Sequence, residues 1–182
     1  RASGEETESL LAYGVMEQLA RSAGAAGAAL AAIVPARGPQ PVPDPVTVGS
    51  RILELLGEVA AGSALVVVIV DDVHWADLPS VQALVFALRR LVADPVLAVL
   101  AVRDDSDVVL PESLRRLVSG HLGTALRLRG LDEEDLRELA AALGIAGFSW
   151  PAAQRLRFGT QGNPLHAKAL LEEFPVAEWG PA

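Results

Sequence analysis

Apolar residues fall into two kinds of run along this chain, short unbroken ones and longer ones at helical spacing, and the two kinds alternate. "ALVVVIV" at 64–70 and "PVLAVLAV" at 95–102 are continuous and Val-rich, the pattern of parallel strands covered on both faces. Between them Val81, Leu84, Val85, Leu88, Leu91 and Val92 form one stripe. It predicts a helix from Asp77 or Ser80 to about Ala93, stopped by Asp94-Pro95. Upstream, Leu11, Val15 and Leu19 predict a helix within 6–33, and Ile52, Leu55, Leu56 and Val59 predict another at 48–61. "PARGPQPVPDP", 35–45, holds five prolines and reads as a loop between them. A helix near 111–119 and a short strand, "TALRLRG" at 124–130, complete a third alternation. Strands separated by helices imply βαβ units and a mostly parallel sheet, with functional residues beyond the carboxyl ends of the strands.

After Gly130 the pattern becomes helical. "LDEEDLRELAAALG", 131–144, has Asp132 as N-cap, acids in its first turn and Gly144 at its end. Helices at 151–158 and 164–174 follow, joined by "GTQGNP". The expected organisation is an α/β core over 1–130 and a small helical subdomain over 131–182.

Composition narrows the chemistry. Of 182 residues, 51% are hydrophobic and only 4% aromatic, so the core is built from Val, Leu, Ala and Ile. The sequence has no cysteine, which removes disulfides, thiolate metal sites and cysteine nucleophiles, and makes the cytoplasm the default location. A net charge of −8 and a single lysine, Lys168, argue against direct contact with nucleic acid. The most apolar run, 64–70, is far shorter than the ~20 residues that cross a bilayer. No basic, cleavable leader stands at the N-terminus.

The strand at 64–70 ends on Asp71 and Asp72, followed by His74, Trp75 and Asp77. Two carboxylates at a buried strand end suit a division of roles, one holding hydrated Mg²⁺ and one orienting an attacking water. The alternative is that they cap the following loop. Asp71, Asp72, His74 and Asp77 also permit a metal-dependent hydrolase, although packing of His74 and Trp75, with Asp77 capping the next helix, is the simpler account. Arg103 ends the next strand, placed either to read a phosphate or to pair with Asp104, Asp105 or Asp72. Gly162, Asn163 and Pro164 stand just before a helix, an ordinary helix start whose free N–H groups also suit an anion.

Taken together, "ALVVVIVDDVHWADLPS", "PVLAVLAVRDD", "LRLRGLDEEDLRELAAALG" and "GTQGNPLHAKALLEEF" resemble the ATPase domain of the large ATP-binding regulators of the LuxR type. These are signal-transduction ATPases of the STAND class within the AAA+ P-loop proteins. The resemblance covers roughly residues 1–174, and "RASGEETESLLAYGVMEQL" is similar to the family's second strand and following helix. It implies a P-loop NTPase-like fold with ATP and Mg²⁺ as cofactors, Asp71 as the Walker B metal residue and Asp72 as the acid that polarises water. Arg103 would be the sensor of the terminal phosphate, and Gly162, Asn163 and Pro164 the helical-subdomain motif that leans on nucleotide.

The sequence departs from the family in having no G-x-x-x-x-G-K-[ST] run, the loop whose N–H groups, lysine and hydroxyl hold phosphates and Mg²⁺. In family order that loop and the first strand would precede residue 1, and that strand would lie between those at 95–102 and 124–129. The chain thus reads as a truncated piece of a longer regulator, inactive alone, with other domains and possible self-association as its partners. The rival reading is a nucleotide-silent interaction module of the same fold.

Overall fold

The computed structural model describes residues 1–34, 41–91, 93–103, 110–120 and 122–174. The chain forms two compact units, Arg1–Ala125 and Leu126–Ala182.

The first unit is α/β. Its strands are β1 (Ala2–Ser3), β2 (Val66–Asp71) and β3 (Val96–Leu100), and its helices are α1 (Gly14–Ser22), α2 (Ala28–Ala31), α3 (Pro45–Ala61), α4 (Leu78–Leu88) and α5 (Glu112–Ser119). The sheet order is β1-β2-β3, with both pairs parallel. Ala2 lies opposite Val70, and Val66 to Val70 run in register with Val96 to Leu100. All three strands therefore present their carboxyl ends on one edge.

One face of the sheet is core: Val68 and Val70 are buried, and Val66, Val96 and Leu100 pack with them among Val48, Ile52, Val81 and Leu84 from α3 and α4. The alternate positions point the other way, and Val67, Leu97 and Val99 are 46%, 50% and 44% exposed. Continuous apolar runs predict strands covered on both faces; among the described residues only one face is covered. Periodicity cannot make that distinction, because an uncovered apolar face has the same sequence as a covered one.

Helix ends follow their caps. The prediction for α3 begins at 48, whereas the helix begins at Pro45, because the Asp44 side chain accepts hydrogen bonds from the backbone of Val46 and Thr47. Asp-Pro is a cap and first-turn pair, and the proline-rich loop before it hides that signal. The region predicted as one helix within 6–33 is broken into short pieces. Tyr13 adopts a left-handed conformation (φ 66°) ahead of α1, and Gly24 another (φ 61°) beyond it. The strand predicted at 124–130 does not form: residues 123–132 are irregular, and Leu126 and Leu128 are 84% and 92% exposed. A strand is held only by a neighbour's backbone, and β3 pairs with β2 alone among the described residues.

The second unit packs α6 (Glu133–Ala142), α7 (Trp150–Thr160) and α8 (Pro164–Glu173) around Leu136, Ala140, Phe148, Ala152, Leu156 and Leu171. Each helix has a side-chain cap, Asp132, Ser149 and Asn163 in turn.

Candidate functional site

The carboxyl edge of the sheet gathers charge. Asp71 is the last residue of β2; its backbone carbonyl accepts from Gly4 N–H at 2.9 Å, fixing the exit of β1 against it. Its carboxylate accepts from the Arg1 guanidinium at 2.5 Å, with the Asp71 side chain 37% exposed. Asp72 follows in the left-handed region (φ 44°, ψ 45°), so the chain turns sharply into one 3₁₀ turn, Val73–Trp75. That turn is tied to the neighbouring strand's end: Val73 N–H donates to Ala101 carbonyl at 3.0 Å, and Ala101 N–H donates to Val70 carbonyl at 2.9 Å.

The turn places three side chains together. Asp72 Oδ1 lies 3.6 Å from Arg103 Nε and 3.8 Å from His74 Nε2. The Asp72 and Arg103 side chains are 41% and 64% exposed, whereas that of His74 is 3% exposed. Among the described residues neither ring nitrogen of His74 has a hydrogen-bond partner. Trp75 lies tilted against the imidazole, with ring centroids 5.2 Å apart.

The structure thus brings Asp71, Asp72 and Arg103 to one edge. Of the three acids expected as partners of Arg103, Asp72 is the one found beside it, while Asp104 and Asp105 lie outside the described residues. Arg1 is a member that the sequence does not announce, because its pairing with Asp71 spans 70 residues and follows from the register of β1 on β2. Asp77 is turned away from this group: its Oδ1 accepts from the N–H of Ser80 at 2.8 Å and of Tyr13 at 2.7 Å, inside the core. Among the described residues no three His, Asp or Glu side chains converge as a metal-binding group. The four-residue hydrolase cluster therefore lacks its geometry.

Gly162, Asn163 and Pro164 belong to the second unit, where local bonds use them. Asn163 Oδ1 accepts from Leu165 and His166 N–H at 3.0 and 3.2 Å, Asn163 N–H donates to Thr160 carbonyl, and Gly162 carbonyl accepts from Leu131 N–H. In this arrangement the turn is a helix cap fastened to the chain entering α6.

The first-unit edge can offer hard oxygen donors. Magnesium takes one or two carboxylates and completes its octahedron with phosphate and water, and the partly exposed Asp71 and Asp72 suit that role. The sequence holds no glycine-rich phosphate loop with lysine, so these residues do not by themselves cradle a triphosphate. No family model, curated protein or solved structure matches the chain. No helix among the described residues is long and apolar enough to cross a membrane.

Proposed function

We propose that this chain is part of a regulatory ATPase, an ATP- and Mg²⁺-dependent conformational switch of a LuxR-type transcriptional regulator acting in the cytoplasm. The observation that carries this reading is the meeting of Asp72 and Arg103 at the carboxyl ends of two adjacent parallel strands, beside Asp71. In open parallel sheets that edge is where ligands sit, since loops there are free to diverge while the strands stay fixed. Asp71 would hold the hydrated ion, Asp72 would orient water, and Arg103 would meet the terminal phosphate. Arg1 pairs with Asp71 Oδ2 and would compete with a metal for that oxygen.

The second reading, a nucleotide-silent interaction module, is favoured by the uncovered apolar face carrying Val67, Leu97 and Val99. One experiment separates the two: calorimetric titration of Mg·ATP into the 182-residue polypeptide and into its Asp71→Asn variant. Saturable binding that needs Mg²⁺ and is lost in the variant supports the ATPase reading and shows that phosphate is held without a glycine-rich loop in this sequence. Absence of binding up to millimolar ATP removes nucleotide recognition from this chain and leaves the interaction module.

A further inference from the structure

His74 is the least explained polar group in the first unit. Its side chain is 3% exposed, and both ring nitrogens are buried without a partner among the described residues. A buried polar atom left unpaired costs on the order of 1–3 kcal/mol. A Leu or Phe would fill the same space without that cost.

The nearby carboxylate explains the polar choice. Asp72 Oδ1 is 3.8 Å from His74 Nε2, about 1 Å beyond an ordinary N–H···O contact of ~2.9 Å. The same oxygen is 3.6 Å from Arg103 Nε. It lies within 4 Å of both nitrogens and within hydrogen-bond distance of neither, one of them on an exposed side chain and the other on a buried one. Arg103 reaches it from solvent and His74 from the protein interior. The left-handed backbone at Asp72 and the 3₁₀ turn after it set this spacing.

We propose that His74 is a positioning residue for Asp72, an inner hydrogen-bond donor that competes with Arg103 for the Asp72 carboxylate. When Arg103 is drawn to an anion, Asp72 is released and closes on His74 Nε2–H, which fixes the carboxylate in one orientation. Without an anion Arg103 holds it outward. Arg103 thereby reports to Asp72 through competition, with His74 as the second contact. The functional consequence rests on the ATPase reading; the competition itself does not.

The test is nitrogen NMR of the histidine rings, with the His74 signals assigned by their loss in His74→Gln. Arg103→Gln removes the outer donor, and the proton on Nε2 is expected to move downfield as the inner bond shortens. Adding Asp72→Asn to that variant is expected to return the proton upfield, since a carboxylate is a stronger acceptor than an amide. Both substitutions are at partly exposed side chains and leave the buried ring in place. His74 ring signals that are unchanged by either substitution overturn the proposal. The readout involves no nucleotide: absence of Mg·ATP binding counts against nucleotide recognition by this chain and leaves the ring signals untouched, and unresponsive ring signals refute the competition alone.

Discussion

Asp77 and Tyr13, 64 residues apart, are joined by a 2.7 Å hydrogen bond from the Tyr13 backbone N–H to Asp77 Oδ1, and both residues are buried. The same oxygen caps α4 through Ser80 N–H at 2.8 Å. One carboxylate oxygen therefore satisfies two buried donors and pins the left-handed turn that starts α1 onto the start of α4.

Removing that oxygen should cost more than a cap. Asp77→Ala loses the cap, about 1 kcal/mol, and strands the Tyr13 N–H, about 1–3 kcal/mol more. Asp77→Asn keeps an acceptor oxygen and is expected to lose much less. Urea midpoints of the two variants, measured beside the parent, decide the matter; equal losses would mean that the charge, rather than the acceptor, is what holds Tyr13.

Tyr13 is the single tyrosine in the chain, so its titration can be read without interference from other phenols. Burial first, then the nearby Asp44 and Asp77 carboxylates, raise its pKa from 10.0 to about 12. The phenol also donates to Pro43 carbonyl at 2.7 Å, a bond that the phenolate cannot make. Because the folded value is raised, the stabilisation is complete below the unfolded value of 10.0 and is lost as pH climbs toward 12. Tyrosinate absorbance should rise with a midpoint near 12, and Tyr13→Phe should flatten the fall in stability above pH 10. A midpoint at the ordinary value would show that the ring is not held as described.

The alternation that predicts a parallel sheet is legible because β2 and β3 are unbroken apolar runs; the sequence runs end at Asp71 and Arg103, although β3 itself stops at Leu100, three residues short of Arg103. Arg1 and His74 are not legible in the same way. The first depends on which residue β1 lays beside Asp71, and the second on how a left-handed turn aims a ring inward. "TALRLRG" alternates apolar and basic residues as a strand should, but pattern expresses preference and a strand needs a neighbour. The start of α6 is readable because Asp132 stands alone as its cap, whereas that of α3 is obscured because Asp44 sits inside a proline-rich run; the apolar stripe that predicts a helix to about Ala93 outlasts α4, which stops at Leu88.

The second unit should be acid-sensitive at the start of α6. Hydrogen bonding from the Asp135 backbone N–H holds the Asp132 carboxyl below its usual range, and the Arg157 guanidinium does the same for Glu133. Arg157 Nη1 meets both Glu133 oxygens at 2.9 Å, bridging α7 to α6. Lowered folded values mean a contribution that is present above the ordinary carboxylate range, about 4, and lost as pH falls below it. Amide exchange of α6 should accelerate there, and Glu133→Gln should shrink that change. Exchange that is indifferent to pH after correction for intrinsic rates would contradict the assignment.

Gly162 offers the sharpest test of the turn before α8. Its φ is +74°, and a Cβ there would stand 2.4 Å from the Leu131 carbonyl oxygen and 2.7 Å from Leu131 N, backbone atoms that cannot swing aside. Gly144 has a similar φ of +80° with nothing within 4 Å. Alanine at Gly144 should therefore cost only the left-handed penalty, about 1–2 kcal/mol. Alanine at Gly162 pays that penalty and must also break the 2.8 Å bond from Leu131 N–H to Gly162 carbonyl or displace the entry to α6. Gly162→Ala should unfold at distinctly lower denaturant than Gly144→Ala. Coincident midpoints would mean that the two segments are not fastened together, and that the Gly162–Pro164 turn is free to do something other than cap α8.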